Sequence, residues 1–159
     1  MDAFIRRAYF GSEPTNRSLW GIAGGPGDST QAFIPFADFF VSSDPSLTMY
    51  LQDIRGTGNS SYFDCANPPV GAFNPYNASQ VESYDTCHRD IANKYPGKNQ
   101  FYSAYHGAMD LKSSIELVNP ETVSIFAVSV GTYYANTLML MLGDRIDSVI
   151  LDGPVPPGI

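Results

Sequence analysis

Short apolar runs alternate along this chain with longer stretches in which apolar residues recur every three or four positions. The runs are Leu19-Trp20-Gly21-Ile22-Ala23, Thr48-Met49-Tyr50-Leu51-Gln52-Asp53, Val123-Ser124-Ile125-Phe126 and Ser148-Val149-Ile150-Leu151. Each is too short for a helix, so each reads as a buried strand. Residues 3–10 read as a further strand at the start. The helical periodicity falls at 31–41, 79–94, 100–118 and 132–142. In 100–118 the apolar positions Phe101, Tyr105, Ala108, Met109, Leu111, Ile115 and Leu117 suit a helix that covers a sheet. Strand-loop-helix units in succession predict an α/β fold, a mostly parallel sheet between two helical layers.

The junctions between these elements carry the chemistry. Ser129 lies in Ala127-Val128-Ser129-Val130-Gly131, where a strand passes directly into a helix. A serine on so sharp a turn projects its hydroxyl above the sheet, and small residues two before and two after let the two backbones approach. Ala127 stands where glycine is usual, which keeps the turn possible but tighter. On its own the pentapeptide is equally compatible with a helix that merely opens after a buried strand. Upstream, two other strands run into glycine-rich turns, Gly24-Gly25-Pro26-Gly27 and Ile54-Arg55-Gly56-Thr57-Gly58-Asn59-Ser60. Two such turns followed by a strand-serine-helix turn match the order of an α/β-hydrolase, in which the first turn supplies an oxyanion-hole amide.

Gly24-Gly25-Pro26-Gly27, Asp53-x-Arg55-Gly56-x-Gly58-x-Ser60, Ser129-x-Gly131-Thr132 and Leu151-Asp152-Gly153-Pro154 together resemble the proline iminopeptidase and tripeptidyl aminopeptidase family of serine peptidases. Ala23 stands where many members have histidine, and Val130 where many have a bulkier residue. The resemblance implies an α/β-hydrolase core and an exopeptidase that removes short N-terminal units from peptides through an acyl-enzyme on Ser129. Amide cleavage passes through a tetrahedral oxyanion, which preorganised N–H groups must meet. Val130 is the expected source of one; the resemblance assigns the other to the Gly24-Gly25 turn, at Gly25. No cofactor or metal is expected, since no C-x-x-C or H-E-x-x-H spacing occurs and the glycine turn lacks the lysine of a phosphate loop.

A serine hydroxyl needs a histidine to take its proton and a carboxylate to orient that histidine, in the chain order Ser, acid, His for this fold. No histidine follows Ser129. His88 and His106 precede it, on helical segments, outside the expected position of the base. Asp144, Asp147 and Asp152 are the acids that follow; Asp152 reads as structural. The expectation is therefore a partial, apparently truncated α/β-hydrolase domain over 1–159, with an excursion at about 61–98. The strand at 148–151, lacking neighbours, is expected to be an apolar edge open to self-association. The alternatives left open are an inactive fragment or pseudoenzyme acting at most as a binding module, and a carboxylesterase, since one elbow serves amides and esters alike. Asp110 matches an acidic position common in the family, without a mechanism. Asp85, Arg89 and Asp90 read as a solvated helix face.

A net charge of −7 with few, scattered Lys and Arg disfavours nucleic acid as a partner, because a polyanion needs a basic patch. No segment reaches the roughly 20 apolar residues of a membrane helix. Cys65 and Cys87 flank a Pro-, Asn- and Tyr-rich stretch, and N-x-S sequons occur at Asn16, Asn59 and Asn77. Unpaired thiols are one reading; the family resemblance implies a disulfide, and with the sequons this favours an oxidising, secretory setting. Residues 1–7 lack the charged start and apolar stretch of a signal peptide.

Overall fold

Period-two alternation places side chains on opposite faces of a sheet, and five strands obey it: β1 (Ile5–Tyr9), β2 (Arg17–Ile22), β3 (Leu47–Gln52), β4 (Thr122–Val128) and β5 (Ser148–Asp152). A computed structural model describes residues 2–25, 27–61, 63–69 and 74–156. The strands lie in the order β1-β3-β2-β4-β5. β2 pairs in parallel with β3 and β4, and β4 with β5, whereas β1 runs antiparallel to β3. Among the described residues, the α-helices between them are α1 (Ile34–Ser43), α2 (Ala78–Lys94), α3 (Ala104–Val118) and α4 (Gly131–Leu142). The chain divides into two compact units, Met1–Ser61 with Ser103–Ile159, and Tyr62–Tyr102.

In the first unit, Trp20, Ile22, Tyr50, Ile125 and Ala127 leave one face of the sheet and meet Leu111 and Ile115 of α3 and Leu138 of α4. Leu19, Met49, Leu51 and Phe126 leave the other and meet Phe33, together with Ala37 and Val41 of α1. Helices thus flank both faces, the three-layer arrangement expected from the sequence. The register puts Trp20 opposite Tyr50 on one side and Ile125 on the other. Its ring stacks on Tyr50 at 4.7 Å, and burying each such side chain contributes about 1.5–3 kcal/mol. Gly21 makes room on the opposite face, where a Cβ would lie 2.5 Å from Leu51 Cδ2.

Two predicted helices begin later than their apolar pattern. Residues 31–41 split into a 3₁₀ turn, Thr30–Phe33, and α1, whose first turn contains Pro35; proline suits that turn because its missing N–H has no partner there anyway. Residues 100–118 split likewise, since the Ser103 hydroxyl accepts the His106 N–H and starts α3 at Ala104. β5 forms an edge of the described sheet, with Ile150 51% exposed. Asp147 fastens its entry: the Asp147 carboxylate accepts the Val123 N–H at 2.6 Å, while the Asp147 N–H donates to the Val123 carbonyl.

The second unit buries none of the side chains of α2. Among its described residues, specific bonds hold the unit. Cys65 and Cys87 form a disulfide with a Cα separation of 5.3 Å, the Asn77 side chain caps α2 through the Gln80 N–H, and the Ala66 N–H donates to Asp90 at 2.7 Å. Asp90 therefore ties the incoming chain to the helix rather than simply facing solvent; Asp85 and Arg89 form an exposed pair at 3.5 Å. Lys94 donates to Asp64 at 2.8 Å and the Tyr95 hydroxyl donates to the same carboxylate, which together hold the Asp64 carboxyl below its ordinary range. The Phe63 ring meets those of Tyr95 and Tyr102 at 4.8 and 4.0 Å. Among the described residues, no His, Cys, Asp and Glu cluster could hold a metal, and no helix is long and apolar enough to cross a membrane.

Because the disulfide closes a loop whose helix has no buried side chain, its loss falls on this unit. Replacing both cysteines by serine should destabilise it by about 3 kcal/mol in the chain-entropy account. Amide exchange along α2 would then accelerate while α3 stays protected. Equal protection with and without the bridge would contradict this.

Candidate active site

The β4–α4 junction turns within two residues, and glycine makes that possible. Gly131 opens α4 directly beneath the end of β2: a Cβ there would lie 2.5 Å from the Ile22 carbonyl oxygen and 2.6 Å from that of Ala23. These are backbone atoms, so no side-chain movement could relieve the overlap. Ser129 takes the left-handed conformation, φ +52°, which costs a non-glycine residue of order 1–3 kcal/mol and persists only where surrounding bonds fix it. Three bonds do so. The Ser129 N–H donates to the Asp152 carbonyl at 2.8 Å, and the Ser129 carbonyl accepts the Thr132 N–H at 3.0 Å and the Thr132 hydroxyl at 2.6 Å. Thr132 is fully buried and its hydroxyl also accepts the Val155 N–H at 2.9 Å.

The first glycine turn comes up against this serine. A Cβ on Gly24 would lie 3.0 Å from both Ser129 Cβ and the Val128 carbonyl. Gly25 sits at φ +113°, where a Cβ would fall 2.6 Å from the Gly27 nitrogen, so the turn admits only glycine. Val130 precedes the first turn of α4, which has no side-chain cap; the partial positive charge at that helix end favours a developing anion. A cavity of about 30 Å³ lies between the turn and the helix, lined by Ala23, Gly24, Gly27, Asp28, Ile54, Thr57, Val130 and Tyr134. It has room for one or two water-sized groups.

The second glycine-rich turn, 53–60, is built on Asp53, which is 1% exposed. One carboxylate oxygen accepts the Thr30 N–H at 2.6 Å and the other the Asn59 N–H at 2.9 Å. Gly58 leaves space for that carboxylate, since a Cβ would lie 2.1 Å from Oδ2. Arg55 then reaches α3, where its guanidinium grips Asp110 through two bonds of 2.7 and 2.6 Å. The acid noted at position 110 is thus the partner of the arginine noted at 55. An acid ending a buried strand just before an R-G-x-G run was the available signal for Asp53; Thr132 was marked only as the last residue of the Ser129-x-Gly131-Thr132 motif.

The remaining candidates lie on other elements. His106 lies half-buried on the first turn of α3, its Nδ1 2.8 Å from the Ser103 hydroxyl. His88 is exposed on α2, in the second unit. Within the first unit's described residues, the Ser129 hydroxyl has no hydrogen-bond partner. Asp152 contributes its carbonyl to the serine turn while its side chain is exposed. Asn16, Asn59 and Asn77 are all exposed.

Two outcomes follow from this geometry. Gly131→Ala must push α4 away from β2, so unfolding in denaturant should show a loss of about 1–3 kcal/mol; a neutral effect would mean that the two backbones are not in contact. Burial raises the Tyr134 phenol above its ordinary value near 10, so the protonated form is favoured by folding. Its stabilising contribution is complete below pH 10 and is lost as pH rises through the folded value. Thermal melts from pH 8 to 11 should fall more steeply for the parent chain than for Tyr134→Phe, and parallel curves would contradict the burial.

No protein-family model and no curated protein matches the sequence. Solved structures do resemble it. A marine microorganism esterase is 19% identical with a TM-score of 0.60, over 94% of this chain and 41% of its own. An esterase from Exiguobacterium antarcticum is 15% identical with a TM-score of 0.63, over 98% of this chain and 42% of its own. A Vigna radiata epoxide hydrolase mutant is 14% identical with a TM-score of 0.62, over 94% of this chain and 34% of its own. The chain thus spans less than half the length of each, and what it shares with them throughout is the α/β-hydrolase fold.

Proposed function

We propose that this chain carries the nucleophile and oxyanion pocket of a serine hydrolase, with Ser129 attacking a carbonyl carbon and the Val130 and Gly25 N–H groups receiving the developing oxyanion. The observation that carries the reading is the strained Ser129 turn, held by three bonds and abutted by a glycine turn. Strain of this kind concentrates where a side chain must be presented for chemistry, and donors arranged in advance stabilise the transition state at about 3 kcal/mol each. The substrate we favour is the N-terminal part of a peptide, cleaved by an aminopeptidase through an acyl-enzyme, on the motifs shared with the proline iminopeptidase and tripeptidyl aminopeptidase family. Ester cleavage is the second reading, favoured by the esterases among the similar folds. Among these 159 residues no histidine follows Ser129, so these residues by themselves supply attack and oxyanion binding without the base in its usual order. The disulfide and three exposed sequons support a secretory setting with glycans on Asn16, Asn59 and Asn77, and the apolar edge of β5 supports self-association.

A fluorophosphonate tests the nucleophile, and chromogenic substrates test turnover. Intact-mass analysis should find one adduct per chain, on Ser129, absent from Ser129→Ala and formed faster when imidazole supplies a base. Tripeptidyl and aminoacyl anilides should be hydrolysed negligibly by the chain alone. Adducts scattered over other residues and indifferent to Ser129→Ala would overturn the assignment, and rapid anilide hydrolysis abolished by Ser129→Ala would return His88 or His106 to the mechanism.

A further inference from the structure

We infer that Asp53 is a positioning residue, which holds the Gly24-Gly25 turn in register with Ser129 although it touches neither the serine nor a substrate. The inference rests on the site proposed above and extends it to a residue without an assigned role.

Among the described residues from Gly24 to Ser29, the ties within the segment are few. Gly25 and Gly27 both occupy positive φ, and Ser29 closes the segment by accepting the Gln31 N–H at 3.3 Å. The firm tie comes one residue later, where the Thr30 N–H meets Asp53 Oδ1 at 2.6 Å. The other oxygen, Oδ2, takes the Asn59 N–H at 2.9 Å, and the Ser60 hydroxyl donates to the Asp53 carbonyl at 2.5 Å. One buried carboxylate therefore joins two glycine-rich turns that are far apart in sequence. Hydrogen bonds to an ionised, desolvated acceptor are stronger than neutral ones. Arg55, two residues on, fastens the second turn to α3 through Asp110, so the first turn is referred to the helical layer through Asp53. Gly24 in turn abuts Ser129, and a shift at Thr30 would be felt where the oxyanion must bind.

Both oxygens of Asp53 accept, and this makes the test specific. Asp53→Asn keeps the shape but replaces one acceptor by an NH₂ group that faces a backbone donor. Thr30→Pro cuts the same link from the other side: Ser29 already has φ −91° and ψ 167°, which a following proline accepts, and Thr30 starts the 3₁₀ turn, where proline fits. Should Asp53→Asn fail to fold, Thr30→Pro carries the test. Two measurements are made on the 159-residue chain, far below the melting temperature. Amide exchange at Gly25, Gly27 and Asp28 should rise about tenfold or more in either variant, while exchange in α3 is unchanged. Phosphonylation of Ser129 should slow about tenfold or more, with the serine still present.

Unchanged exchange at 25–28, or acceleration that spreads equally into α3, would overturn the inference, the latter because Asp53 would then serve only global stability. Accelerated exchange without slower labelling would overturn it as well, because the turn's order would not matter to the chemistry. If the parent chain is not labelled at Ser129 at all, the hydrolase reading fails, and exchange alone still decides whether Asp53 orders the turn.

Discussion

Two backbones meet without side chains between them at the end of β2 and the start of α4, and the rest of the site depends on that approach. A methyl group on Gly131 would occupy the space of the Ile22 and Ala23 carbonyls. Because glycine is there, α4 can start at once after β4, Ser129 can be forced into a left-handed turn, and the Gly24 turn can close over it. The arrangement requires a well-packed sheet beneath, since even a one-methyl change in a close-packed interior is felt. Trp20, at the centre of that sheet between Tyr50 and Ile125, supplies the fixed floor.

Polar groups do the rest of the positioning, the aspartates by accepting backbone N–H groups and Thr132 by donating its hydroxyl to a backbone carbonyl. Asp53 holds two turns, Asp147 holds the entry to β5, and Thr132 holds the carbonyl of Ser129. Each is a short side chain bonding to the main chain, so little rotamer entropy is lost for each bond made. The Arg55–Asp110 pair is different in kind. It is largely buried, at 11% and 24% exposure, and such a pair contributes less through net attraction than through the cost of leaving either charge alone. Its effect is to fix where the second glycine turn sits on α3. The second unit buries no side chain of α2 and is held, among its described residues, by covalent and ionic ties and by the stacked rings of Phe63, Tyr95 and Tyr102.

Much of the fold was legible because strand burial leaves a local mark. The runs around Trp20, Tyr50, Ile125 and Val149 could be read directly, and so could the serine turn, because Ser129 and Gly131 are neighbours in sequence. The antiparallel direction of β1 could not, since β1 pairs with distant residues, from Ile5 with Gln52 to Tyr9 with Thr48. The late starts of α1 and α3 reflect capping chemistry at Pro35 and Ser103 overriding apolar periodicity. Asp53 was visible only as a motif letter: its two donors, at Thr30 and Asn59, lie on separate turns, and nothing local marks them. Asp90 was misread for the same reason, its partner being the main chain at Ala66.

The most direct test of the site is the structure of the chain after reaction with a fluorophosphonate. Continuous density should run from Ser129 Oγ to phosphorus, with the phosphoryl oxygen between the Val130 and Gly25 N–H groups at hydrogen-bonding distance. An adduct on another residue, or a phosphoryl oxygen turned away from both amides into solvent, would contradict this.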